Sequence, residues 1–288
     1  MQLNLDNEID IKLLETFGEK TVDNIDTDKL GFILMNTSLE EDSEITFKIY
    51  YSHNYSKKLY EKNNHDFPII NFLKEHNLMS GFEISHDEYD KCKRFNVKLQ
   101  NANNKNVLEM FDYLEKNTNF ISKYKDEILN FSKIGRPTPS DWDYEPLFFI
   151  GFKNDKNNNI EQVKCYWINE VLDNDYYINF IKESGIEKLN NLLCEVQKII
   201  PNTGRMFWGE GIDYSILGSS KHTLYFNYNE EIYNNIINKF TTDTNLTKNI
   251  KLITNWPENH PQFFCDGLAI RKNDNNNLTL NFYFRIRK

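Results

Sequence analysis

Five times along these 288 residues a candidate strand sorts its side chains onto two incompatible faces, and the division is the same each time. The segments are residues 45–50, 95–99, 163–167, 223–227 and 280–286. Alternate residues of a strand point to opposite sides. One side therefore carries Phe47/Ile49, Val97/Leu99, Val163/Cys165/Trp167, Leu224/Phe226 and Phe282/Phe284/Ile286. The other carries Lys48/Tyr50, Asn96/Lys98, Lys164/Tyr166, Tyr225/Asn227 and Tyr283/Arg285. If the apolar faces pack beneath helices, the lysines and tyrosines must face one another or water. The pattern predicts a barrel whose lumen is polar and lined by cations and phenols.

Each of these strands has a partner just upstream. The expected pairs are 30–35 with 45–48, 82–86 with 95–100, 147–153 with 162–168, 206–213 with 223–228, and 268–272 with 278–287. Helical spacing of apolar residues places helices over 9–24, 60–78 (broken at Pro68), 106–132, 176–200 and 230–240. The Pro- and Gly-rich loop at 135–141 divides the chain, yet the same hairpin-then-helix order continues across it. Residues 1–288 are therefore read as a single domain. Repetition of one supersecondary unit points to a closed architecture. Ten antiparallel strands with helices outside give an α+β fold, a wide β-barrel of repeated ββα units with no open edges.

A formal net charge of −9 argues against nonspecific binding to nucleic acid or to anionic membranes, both of which want a basic surface. No stretch approaches membrane-spanning length, and residues 1–6 lack a basic region followed by an apolar run. A soluble protein of a reducing, cytoplasmic compartment is expected. Cys92, Cys165, Cys194 and Cys265 form no CxxC, and the six histidines show no ligand spacing, so no metal site is expected. Cys165 and Cys194 lie in apolar contexts and read as buried thiols.

A lumen this wide must hold water or a ligand. Confined lysines without anions cost several kcal/mol each, to order of magnitude, when desolvated. Lys48, Lys98, Lys164 and Arg285 therefore ask for a polyanion, whereas tyrosine faces attract cations. An allylic diphosphate that ionises answers both demands.

The hairpin–helix rhythm, the Lys/Tyr inner positions, Leu13-Leu14-Glu15-Thr16-Phe17 and Phe47-Lys48-Ile49-Tyr50-Tyr51-Ser52 resemble the soluble aromatic prenyltransferases of the ABBA (PT-barrel) type. The absence of a DDxxD-type motif agrees with that family. The resemblance implies that Lys48, Lys98, Lys164 and Arg285 bind diphosphate, with Lys221 substituting on the fourth hairpin, whose strand centre has no cation. It implies that Tyr50, Tyr166, Tyr225 and Tyr283 shield the allylic cation, and it makes Glu83 and Glu210 the candidate proton acceptors. Trp208 would contact an aromatic acceptor. The sequence makes no cofactor certain and does not itself require Mg2+, a requirement left open because residues 31–36 offer no carboxylate. The partners would be a prenyl diphosphate and an aromatic acceptor. The implied reaction moves a dimethylallyl or longer prenyl group onto an electron-rich aromatic small molecule. Two alternatives stand beside it: a peptide prenyltransferase of the cyanobactin type acting on Tyr or Trp side chains, and a noncatalytic ligand-binding barrel.

Overall fold

Every strand pairs antiparallel with its neighbours in sequence, and the first pairs also with the last, so the sheet closes without an edge. The structure is a computed structural model, in which residues 5–19, 22–26, 28–39, 44–62, 68–87, 93–100, 103–118, 123–133, 147–154, 159–168, 174–199, 207–215, 219–227, 229–239, 244–273, 275 and 277–287 are described. Helix α1 (Leu5–Phe17) and a 3-10 turn (Val22–Asn24) lead into hairpin β1 (Leu30–Ser38) and β2 (Ile45–Tyr51). Helices α2 (His53–Lys62) and α3 (Pro68–Glu75) precede β3 (Met79–Asp87) and β4 (Lys93–Leu99). Helices α4 (Asn104–Asn117) and α5 (Lys123–Lys133) precede β5 (Leu147–Asn154) and β6 (Ile160–Ile168). Then come α6 (Asn174–Glu183), α7 (Glu187–Ile199), β7 (Phe207–Ser215) and β8 (Ser220–Asn227). Helices α8 (Glu230–Lys239) and α9 (Thr244–Asn259), β9 (Phe263–Lys272) and β10 (Leu278–Ile286) complete the order.

The barrel is the one expected, but its connections are pairs of helices. Each break has a local cause. Gly185, at φ 71°, turns the chain between α6 and α7, where one helix over 176–200 was expected. Pro68 opens α3, a position where its missing N–H costs nothing. The expected helix over 106–132 is likewise two, α4 and α5; the first ends at Thr118, whose backbone is extended and whose N–H returns to the Leu114 carbonyl. The helix expected over 9–24 ends at Phe17, where Gly18 enters the left-handed region and its N–H returns to the Leu14 carbonyl. Helix α9 was not anticipated, and strand β9 starts earlier than expected. The loop at 135–141 and Cys92 lie outside the described residues.

The apolar faces do lie under the helices. Phe282 and Phe284 are 1% and 0% exposed, and Trp256 of α9 meets Phe284 edge-on at 5.5 Å. Burying one such side chain contributes about 1.5–3 kcal/mol, so this layer between barrel and helices is the main core. Cys165 is buried in it, whereas Cys194, expected buried, is exposed on α7. Among the described residues no helix is long and apolar enough to cross a membrane.

Candidate functional site in the barrel lumen

Cross-strand pairing carries one row of inward positions half-way round the barrel. Glu83 opposes Asn96, Asn96 opposes Gly151, Gly151 opposes Lys164, Lys164 opposes Asp213, and Asp213 opposes Lys221. Two glycines, one on each of the strands that flank β6, give these side chains room. A Cβ on Gly151 would come within 2.7 Å of the Asn96 carboxamide oxygen. A Cβ on Gly211 would come within 3.1 Å of Lys164 Cε and 3.2 Å of Tyr225 Cε2. Lys164 therefore lies in a trough cut into the barrel wall.

Toward the hairpin turns the lumen is cationic. Lys164 Nζ lies 3.2 Å from Asp213 Oδ2, and Arg94 Nη1 lies 3.4 Å from Asp213 Oδ1. Arg94 also donates to Gln162 Oε1 at 3.3 Å. Burial pulls the Lys164 ammonium down to about 8; Asp213 opposes the shift, while Arg94 and Arg271 add to it. Burial pushes the Asp213 carboxyl up, but Lys164, Arg94 and Arg271 outweigh it and hold the group at about 2. Lys221, beyond Asp213, is lowered by burial and by Arg271.

A belt of aromatic rings follows along the strands. Phe149 meets Tyr166 at 6.3 Å, Tyr166 meets Tyr225 at 6.1 Å, and Tyr225 meets Tyr283 at 6.1 Å. Phe32 tilts against Tyr283 at 5.7 Å and stacks on Tyr50 at 4.0 Å. Burial raises the Tyr166, Tyr225 and Tyr283 hydroxyls well above their ordinary value, so they stay neutral and keep electron-rich faces. Lys164 Nζ stands 4.7 Å from the Tyr166 ring centroid.

At the other side of the belt sits Glu83. Burial raises its carboxyl to about 7, against the lowering pull of Arg285 and Lys98. Arg285 is half-exposed and pairs with Asp266 at 2.8 Å. Between these groups lies a cavity of about 360 Å³, lined by Lys48, Arg94, Lys164, Arg271 and Arg285, by the aromatic belt, and by Glu83, Asn96 and Asn281. An anion can settle among the cations, an apolar or cationic group against the rings, and a proton on Glu83.

Lys48, Lys164, Arg285, Glu83 and the four expected tyrosines line this one cavity. Lys98 and Lys221 occupy inward positions of β4 and β8 without lining it. Glu210 is a correction. It alternates with Gly209 and Gly211 and faces the helices, fully buried, where Tyr177 of α6 donates to its Oε2 at 2.9 Å. A carboxylate held there cannot serve the lumen. The Trp208 side chain lies outside the described part of the structure. Sequence reasoning missed Arg94, Arg271 and Asp213, although Arg94 shares the alternation of Asn96 and Lys98.

No protein-family model matches the sequence, and no curated protein matches it significantly. The structure does resemble solved ones. It superposes on 6-dimethylallyltryptophan synthase from Micromonospora olivasterospora, in complex with DMASPP and Trp, with a TM-score of 0.53 at 10% identity, covering 98% of this chain and 96% of that one. NotF prenyltransferase gives a TM-score of 0.57 at 9% identity, over 88% of this chain and 80% of that one. AnaPT from Neosartorya fischeri gives 0.53 at 10% identity, over 88% and 78% respectively. The fold is thus that of the PT barrels; at these identities the likeness carries the fold alone.

Proposed function

We propose that the chain is an aromatic prenyltransferase, transferring a dimethylallyl group from its diphosphate to an electron-rich aromatic small molecule inside the lumen. The observation that carries this reading is the division of one cavity in the barrel lumen into a cationic end and a neutral tyrosine belt. Arg94, Lys164 and Arg271, with Lys48, take the diphosphate oxygens. As the allylic C–O bond breaks, its electron pair leaves with diphosphate, whose growing charge these fixed cations stabilise. The carbocation left behind rests against Tyr50, Tyr166, Tyr225 and Tyr283, which exclude water and offer their ring faces. A nucleophilic ring carbon or heteroatom of the acceptor forms the new bond. Glu83 takes the proton that the acceptor loses, a task suited to a carboxylate held at about 7.

The solved neighbour bound to DMASPP and Trp supports a dimethylallyl donor and an indole-bearing acceptor as the first pair to assay. The test is incubation with dimethylallyl and geranyl diphosphates and a panel of indoles, phenols and Tyr- or Trp-containing peptides, with products identified by mass spectrometry. A prenylated small aromatic is the expected product. Prenylated peptides alone would move the acceptor class to the cyanobactin-like alternative. If calorimetry detects no binding of any prenyl diphosphate, both enzyme readings fail and the noncatalytic barrel stands.

A further inference from the structure

Asp213 is a feature of the cationic end that a simple anion site does not need. It is 4% exposed, and it does not line the cavity. It stands instead behind the cations, taking Lys164 on one oxygen and Arg94 on the other. Lys221 opposes it on β8, and Arg271 is close enough to lower its pKa. Four cations from β4, β6, β8 and β9 thus converge on one carboxylate, and three of them, Arg94, Lys164 and Arg271, also face the cavity.

We propose that Asp213 is a positioning residue that acts as the built-in counter-anion of the donor site. Before ligand arrives it holds Lys164 and Arg94 together against their mutual repulsion. When diphosphate arrives, it competes with Asp213 for the same N–H donors. The carboxylate thereby weakens the grip on diphosphate, and so hastens release of the diphosphate product, a step that limits turnover in many enzymes. This inference rests on the reading of the lumen as a diphosphate site.

The test is calorimetric titration of inorganic diphosphate into the wild-type protein, Asp213→Asn and Asp213→Glu. Removing one negative charge a few ångström from the ligand, at an intermediate effective dielectric, should tighten binding by about tenfold or more, while Asp213→Glu stays within about threefold of wild type. In steady-state assays kcat and the donor KM should fall together in Asp213→Asn, which mere structural damage would not produce. Equal or weaker binding by Asp213→Asn overturns the inference while leaving the site assignment intact. A wild-type protein that binds no diphosphate overturns the site assignment and the inference with it. Should Asp213→Asn fail to fold in plain buffer, it should refold when diphosphate supplies the missing anion; a chain that stays unfolded in saturating diphosphate contradicts the inference.

Discussion

The carboxamide oxygen of Asn96 lies 2.7 Å from the point that a Cβ on Gly151 would occupy, so β4 and β5 meet in the lumen wall across a missing side chain. Asn96 is buried and its neighbours in the row are Glu83 and, past Gly151, Lys164. Gly151→Ala should force Asn96 out of place and destabilise the fold by about 1–3 kcal/mol. Adding Asn96→Ala should recover part of that loss. Thermal denaturation of the single and double variants measures both effects; equal melting temperatures for wild type and Gly151→Ala would show that the wall is looser than described.

The pH dependence of kcat/KM for the donor should be bell-shaped, because it reports the free protein's essential groups. The rate should rise through about 7 as Glu83 ionises and fall through about 8 as Lys164 loses its proton. Glu83→Gln should slow turnover and remove the acidic limb. Stability moves in the other direction. The folded state keeps a proton on Glu83 between about 4.5 and 7 that the unfolded chain releases, so its contribution declines as pH rises through that window. Lys164, lowered from 10.5 to about 8, penalises the fold below about 8 and stops doing so as pH climbs toward 10.5. Denaturant melts across pH, compared between wild type and Glu83→Gln, isolate the first of these slopes.

Glu210 provides a control that separates packing from chemistry. It accepts from Tyr177 beneath the helices, so Tyr177→Phe should cost about 1–3 kcal/mol through the lost donor to a buried carboxylate. The folded protein should keep its donor KM. A changed KM with unchanged stability would place Glu210 in the reaction after all.

Phe282→Asp should prevent folding, since it puts a charge into the fully buried layer between β10 and the helices. Lys48→Ala, on the inward face of β2, should fold normally and weaken donor binding. A soluble, cooperative melt for Phe282→Asp would mean that the two faces of β10 are the reverse of those described.

The barrel was legible because side-chain alternation is a local rule, and Lys164/Tyr166 against Val163/Cys165/Trp167 obey it without interruption. The same rule places Glu210 with Ile212 and Tyr214 on the helix side, so its assignment to the lumen set function ahead of parity. Strand β9 resisted reading for a physical reason. Its register shifts between Tyr283 and Phe284, giving it one extra residue near Asp266, so its outward set changes from Phe263 to Leu268 and Ile270. That shift turns Arg271 to the cavity where plain alternation from Phe263 would not. Asp213 escaped notice because a carboxylate opposite a lysine is a fact of inter-strand register, which no single strand contains. Helix α9 had its signal, with Leu246, Ile250, Ile253 and Trp256 at helical spacing, beneath a polar and Asn-rich surface.

The most direct measurement is a crystal structure of the protein with a nonreactive dimethylallyl diphosphate analogue. The account predicts diphosphate oxygens within hydrogen-bond distance of Lys164, Arg94 and Arg271, and the prenyl tail against Tyr166, Tyr225 and Tyr283. An analogue bound outside the barrel, or lying in the lumen with its diphosphate on the tyrosines, would contradict it.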